Sequence, residues 1–144
     1  MKKIGDYVVR GQIENQGIEK IQLFDGRFDT GFRVLSFVVY PYNNANNSDV
    51  AGILGTEAET LTGTSLPDFS DNTQLAWSNT RVQDNFAAQG PLEIIDPDNM
   101  IIEDLYVQVQ NAGGGPVNYM IVLEKYDISE WQGALQLVRN SSQG

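Results

Sequence analysis

Few side chains in this sequence are of a type that could do chemistry. Its 144 residues include no histidine and no cysteine, which excludes the usual zinc ligands, thiolate nucleophiles and disulfides. A serine nucleophile would lack its usual histidine base, and no lysine stands in a Ser-x-x-Lys pattern. The 19 aspartates and glutamates could supply the paired carboxylates of a glycosidase, but so many acids always provide some pair. We therefore expect no enzyme, no catalytic residues and no cofactor.

Two acidic turns, Asp96–Asn99 and Asp68–Asn72, contain oxygen ligands that suit calcium. Neither matches the twelve-residue calcium loop, which needs ligands at alternate positions and a glycine at the sixth. Aspartate and asparagine side chains also bond the backbone two residues further on, so we interpret both segments as ordinary turns without metal. Gly113–Gly115 precede a strand rather than a helix, which favours a flexible hairpin loop over a phosphate site.

Aromatic side chains could form a platform on which a sugar stacks. The candidates are Trp77, Trp131 and the six tyrosines. Trp77 alternates with Leu75, which favours a core position, and Trp131 lies at an apolar position of a predicted helix. A carbohydrate- or receptor-binding β-sandwich therefore stays the alternative to our preferred function.

Charge is distributed unevenly along the chain, whose formal net charge is −10. Residues 1–40 hold six basic residues against five acids, whereas residues 41–144 hold three against fourteen. The acidic part would repel a phosphate backbone, so we expect no nucleic-acid partner. We expect the basic N-terminal segment and the C-terminal tail to dock on an acidic neighbouring subunit, and the candidate subunit contacts are Lys2, Lys3, Arg10 and Arg139.

No stretch of the sequence predicts a membrane partner or a secretory signal. The longest apolar run, Val34–Tyr40, is far shorter than the ~20 residues that span a bilayer. No apolar segment follows Lys2 and Lys3, so we expect no secretory signal.

The elements that must position these residues are mostly strands separated by turn residues. Asp6–Glu14 predicts a strand, with Ile18–Phe24 as its hairpin partner across the turn at 15–17. Phe32–Tyr40 is apolar on both faces, which is typical of a central strand. Further strands are predicted at Val50–Leu54, Thr73–Ser78 and Leu92–Ile95. The loops 41–50 and 56–72 are long enough to suggest function or a partner.

The last third of the chain has the clearest pattern. Leu105, Val107 and Val109 alternate with polar residues, and Val117, Tyr119, Ile121 and Leu123 do so after a glycine-rich turn. This pattern predicts a long central antiparallel hairpin over 104–126. Ser129 and Gln132 then fit a capping box, which predicts a short helix over 130–139, with an extended C-terminal arm as the alternative. Together the elements favour a single domain, 1–144, with an all-β fold: a two-sheet antiparallel β-sandwich with a possible short C-terminal helix.

Three segments resemble small virion structural proteins of marine tailed bacteriophages. They are Asp71–Ser78, then Ile95–Asp98 with Asp104–Val107, and Val117–Ile128, to which Gly133–Leu135 and Asn140–Gln143 add. The resemblance covers about half the chain and includes no catalytic motif. It implies a jelly-roll-like sandwich present in many copies.

We accordingly expect a capsid-associated or decoration protein that self-associates, as a trimer or a higher oligomer, and contacts other virion proteins. Its expected location is the virion, after assembly in the host cytoplasm. A carboxylate-based enzyme is the third and least favoured interpretation of the sequence.

Overall fold

A computed structural model shows eight antiparallel strands in two facing sheets. It describes residues 2–24, 26–27, 29–43, 47–58, 67–83 and 86–128, with the side chains of 86–89 excepted. The strands are β1 (Lys2–Ile13), β2 (Ile18–Ile21), β3 (Thr30–Pro41), β4 (Ser48–Gly55), β5 (Gln74–Gln83), β6 (Phe86–Ile95), β7 (Leu105–Asn111) and β8 (Val117–Asp127). One sheet has the order β1-β8-β3 and the other the order β2-β7-β4-β5-β6. The predicted all-β, two-sheet antiparallel sandwich is confirmed.

The strand pairing is nested in the manner of a jelly roll. β1 pairs with β8, β2 with β7 and β4 with β5, so the chain resembles a two-stranded ribbon that has been rolled up. A complete jelly roll would also pair β3 with β6, but in this protein the backbone of β6 is hydrogen-bonded to β5. β6 reaches β3 through a side-chain hydrogen bond, in which Ser36 Oγ donates to Glu93 Oε2 at 2.9 Å.

The core lies between the two sheets because alternate residues of each strand point inward. Every second residue is buried in β7 and in β8 from Val117 to Leu123, and the same holds for most of β3 and β4. The inward set includes Val34, Phe37, Val39, Val50, Leu54, Leu105, Val107, Val109, Val117, Ile121 and Leu123. The predicted burial of Leu105, Val107, Val109, Ile121 and Leu123 is confirmed, since none has any exposed surface.

The edge of β3 that faces away from β8 is closed by groups from other elements. Phe32 exchanges two backbone hydrogen bonds with Ile101, at 2.7 and 2.8 Å. The amide of Val39 donates to Ser78 Oγ at 3.1 Å, and its carbonyl accepts from Thr80 Oγ1 at 2.7 Å. These contacts satisfy buried backbone groups that a neighbouring strand would otherwise pair.

Asn99 closes the same edge beside a bulge. Its Oδ1 accepts the amide of Val34 at 2.9 Å, its Nδ2 donates to the Asp96 carbonyl at 2.6 Å, and the residue is buried. Asn99→Ala should lower the free energy of unfolding by about 1–3 kcal/mol, because the buried Val34 amide loses its acceptor. Urea denaturation measures this. Gln12→Ala is the control, because Gln12 is exposed, and it should change the free energy of unfolding by less than about 0.5 kcal/mol. If the two variants lowered the free energy of unfolding equally, Asn99 would not support Val34.

The predicted hairpin over 104–126 is wrong, although its faces are right. β7 pairs with β2 and β4, whereas β8 pairs with β1 and β3, so the turn at 112–116 carries the chain from one sheet to the other. The alternation of apolar residues determines which face is buried, but it carries no information about the neighbouring strand.

Two other pairings differ from the predictions for the same reason. Ile18–Ile21 does not return along β1 but joins the opposite sheet beside β7. β3, which was predicted to be a central strand, is an edge strand within the described residues. Its sequence is apolar on both faces because Leu35 forms a bulge and Val38 points outward. The predicted helix over 130–139 lies outside the described residues.

Candidate functional site

An apolar groove crosses the outer face of the five-stranded sheet, with a cavity volume of about 520 Å³. Its floor is formed where β4 and β5 present neighbouring side chains. Ile53 lies directly opposite Trp77, and Ala51 lies opposite Asn79. Leu92 and Ile94, which are exposed side chains of β6, form one wall. The groove is therefore built mainly on regular strands, which hold its floor rigidly.

Phe69 forms a further wall of the groove. Its ring packs edge-to-face on Trp77, with the ring centroids 4.5 Å apart and an interplanar angle of 67°. Trp77 is 9 % exposed, whereas Phe69 is 66 % exposed. Phe69 thus shields the indole from water and offers its own free face to a ligand.

Hydrogen bonds to one side chain hold this wall in place. Gln74 Oε1 accepts both the indole N–H of Trp77, at 2.9 Å, and the amide of Asp68, at 3.0 Å. The turn is further fixed because Asp68 Oδ1 accepts the Ser70 amide at 3.0 Å. The hydrogen bond from the Ser70 hydroxyl, together with the one from the Ser70 amide, keeps the pKa of Asp68 below its ordinary value. The turn chemistry expected for Asp68–Asn72 is confirmed.

The end of the groove nearest the start of β4 has a polar rim. Asn79 Nδ2 donates to Asp49 Oδ1 at 3.0 Å and to the Val50 carbonyl at 2.9 Å. Gln110 also lines this end. An apolar floor with a few polar groups at one end is the usual design of a site for a small ligand or a partner side chain.

Among the residues that the structure describes, no three His, Cys, Asp or Glu side chains lie close enough together to hold a metal ion. Asp96 behaves as a turn residue, since its Oδ1 accepts the Asp98 amide at 3.0 Å. The expectation that the protein is not an enzyme stays a prediction.

The outer face of the three-stranded sheet carries a second surface. At its centre Val8 and Met120 are 59 % and 44 % exposed, and the half-buried Val38 and Val122 lie beside them. Arg10 is exposed at the margin of this apolar patch, opposite Met120.

A charged cluster lies at the other end of this face. Lys3 Nζ contacts Asp6 Oδ1 at 2.8 Å and Glu124 Oε2 at 2.7 Å. Tyr126 Oη donates to Glu124 Oε1 at 2.7 Å, and the Arg33 guanidinium lies 5.6 Å from the Tyr126 ring centroid. The hydrogen bonds from Lys3 and then Tyr126 lower the pKa of Glu124, and those to Asp6 and Glu124 raise the pKa of Lys3. The cluster is charged at neutral pH.

The predicted subunit contacts fall into three groups. Lys2 and Arg10 are exposed on β1, whereas Lys3 is engaged with Asp6 and Glu124 of its own chain. Arg139 lies outside the described residues. The basic N-terminal segment is not a free arm, because it forms a ladder with β8 from Lys2 onward.

Sequence reasoning missed the groove, and the prediction that Trp77 shares the core with Leu75 is wrong. Trp77 is buried on the outer face with Ile53 and Tyr106, while Leu75 belongs to the cluster between the sheets. A register irregularity opposite Leu54 and Gly55 interrupts the alternation at Leu75. One feature of the sequence could have indicated the groove, because Phe69 is the single aromatic residue in the long polar loop 56–72.

In the described part of the chain, no helix is long and apolar enough to cross a membrane. Comparison with known proteins found no matching family model, no matching curated protein and no matching solved structure.

Proposed function

We propose that this chain is a virion structural protein that self-associates and packs on a viral shell as a capsid-associated or decoration protein. The observation that carries the proposal is a jelly-roll-like sandwich with exposed apolar side chains on the outer faces of both sheets. The fold does not by itself distinguish this function from others, because jelly rolls occur in viral coats but also in lectins and cupins.

The exposed apolar side chains supply the physical part of the support. Val8 and Met120 lie on the three-stranded sheet, and Leu92, Ile94 and Phe69 lie around the groove of the other sheet. Contiguous apolar surface on both sides of a small sandwich is typical of a protein that packs between neighbours. Charge is consistent with this, because a subunit of net charge −10 presents Lys2 and Arg10 on β1.

Mass spectrometry of density-purified virus particles tests this function. Peptides of this chain should be recovered from the particle fraction in a fixed ratio to the main shell protein, and washing in moderate salt should not remove them. Recovery only from the unassembled fraction of the lysate would contradict the proposal. The result does not depend on the oligomeric state of the isolated protein.

A carbohydrate- or receptor-binding module is the second candidate, and the groove favours it. The free face of Phe69 and the polar rim of Asp49 and Asn79 resemble a stacking surface beside hydrogen-bonding groups. Oligosaccharide binding that is lost in Phe69→Ala and kept in Tyr42→Ala would support this candidate. Tyr42 is the matched control because it is equally exposed but does not line the groove.

A further inference from the structure

The two edges of the three-stranded sheet differ in how far they are closed. The β3 edge is covered by the Ile101 bridge, Asn99, Ser78 and Thr80. β1 is 12 residues long and, within the described chain, forms a ladder on its β8 side only. A long edge strand of this kind is a template for pairing with another strand.

The hydrogen bonds of β3 show which amides of β1 face this edge. Successive residues of an antiparallel strand direct their N–H and C=O groups to opposite sides. The amides of Phe32 and Val34 bond away from β8, so Arg33 bonds toward β8, where Glu124 is its partner. Leu123, the next residue of β8, therefore bonds toward β1.

Leu123 pairs with Tyr7, so the backbone of Tyr7 is used inside the sheet. The backbone groups of Asp6, Val8 and Arg10 consequently point to the free edge. Their side chains lie on the outer face, since they stand opposite Glu124, Val122 and Met120 of β8. All three are exposed.

The order of these three residues is self-complementary. If two β1 strands pair antiparallel about a two-fold axis at Val8, Asp6 of each copy stands opposite the partner's Arg10. An axis at Asp6 or at Arg10 would instead place like charges together. An axis at Tyr7 or Val9 would set a charged residue against the partner's Val8. Among these five axes, from Asp6 to Arg10, only the Val8 register pairs opposite charges, and it does so twice.

We propose that β1 is a homodimer interface, at which a second copy of this chain extends the sheet across a two-fold axis at Val8. The result is a six-stranded sheet, β3-β8-β1 continued by the same three strands of the partner. Its outer face joins the two Val8–Met120 patches into one apolar surface. This inference deepens the proposed self-association and rests on it.

Charged residues on an edge strand often serve the opposite purpose and prevent association. That role fits Lys2, which lies at the start of β1. It does not fit Asp6 and Arg10, whose opposite signs at equal distances from Val8 produce attraction in the symmetric pair. Each copy carries a net charge of −10, and β1, with three basic residues and one acid, reduces the repulsion that a second copy meets there.

A charge swap tests the pairing. Asp6→Arg and Arg10→Asp each create two like-charge contacts across the axis, so each should weaken dimerisation about tenfold in sedimentation equilibrium. The double variant D6R/R10D restores opposite charges and should return to within about threefold of the wild-type Kd. Loss of the Lys3–Asp6 contact is common to D6R and the double variant, so recovery in the double variant cannot arise from that contact.

Cysteine cross-linking tests the register, because the natural chain has no cysteine. Directly opposed, hydrogen-bonded residues have Cα atoms about 5.5 Å apart, within the range that a disulfide spans. Val8→Cys should therefore form a covalent dimer under mild oxidation. Tyr7→Cys and Met120→Cys, each exposed but off the axis, should stay largely uncross-linked.

A wild-type protein that is monomeric at millimolar concentration would overturn the inference, as would cross-linking of Tyr7→Cys in preference to Val8→Cys. Single and double charge variants with equal dimer affinity would overturn it as well. A dimer that is absent from virus particles would refute the proposed function and leave the interface standing. Particle binding by a strictly monomeric protein would refute the interface and the self-association, and would leave the proposed place on the viral shell standing.

Discussion

Phe37→Ala should lower the free energy of unfolding by about 3–5 kcal/mol, the range expected for removing a buried aromatic ring from a core. Phe37 has no exposed surface and points from β3 toward β4 of the facing sheet. Its ring fills the space above Gly52. A Cβ atom at Gly52 would lie 2.8 Å from Phe37 Cζ and 2.5 Å from Val39 Cγ1, so β4 has no side chain there that could fill a cavity.

Chemical denaturation followed by tryptophan fluorescence measures this effect. Leu35→Ala is the matched control, because Leu35 lies two residues away on the same strand but is 44 % exposed at the bulge. Removing the Leu35 side chain should change the free energy of unfolding by about 0.5 kcal/mol. If Leu35→Ala instead cost more than Phe37→Ala, Leu35 rather than Phe37 would face the core.

Ile121→Ala and Leu123→Ala should each lower the free energy of unfolding by about 2–5 kcal/mol. Both side chains have no exposed surface, and both belong to β8, the central strand of the three-stranded sheet. Because β8 is paired on both sides, the backbone cannot shift to close the cavity that a truncated side chain leaves. The cost should therefore lie well above that of a surface substitution.

Met120→Ala provides the comparison on the same strand, since Met120 points outward and is 44 % exposed. It should change the urea midpoint only slightly. A melting curve that Ile121→Ala or Leu123→Ala leaves unchanged would show that the inward and outward faces of β8 are assigned the wrong way round. The stability of Met120→Ala also checks that this residue can be altered in association experiments without unfolding the protein.

The two outer faces suggest a division of tasks. The three-stranded sheet combines an apolar patch with an edge that is open within the described residues, which suits a copy of the same chain. The five-stranded sheet has a groove walled by Phe69 and floored by Trp77, which suits an inserted side chain or a small ligand. Phe69→Ala and the Val8 variants lie on opposite sheets, so their effects on particle incorporation should be separable.

The sequence by itself determined where most strands lie and which of their residues face inward. Leu105, Val107 and Val109 are buried, as are Ile121 and Leu123, because a period of two places alternate side chains on one face whatever the strand's neighbours are. The turn residues at 111–116 likewise marked a reversal. Local chemistry is sufficient for these features, since each depends on residues close together in the chain.

Only the tertiary structure decided which strands are neighbours and what the outer faces carry. β7 and β8 share an alternation and a connecting turn, yet they lie in different sheets, because pairing depends on long-range packing that the alternation does not encode. The irregularity at Leu75 moved Trp77 to the outer face, where Phe69 covers it. The complementarity of Asp6 and Arg10 became visible only once β1 was placed at an edge. These opposite charges can contribute to an interface only because they lie beside backbone groups that have no strand partner among the described residues.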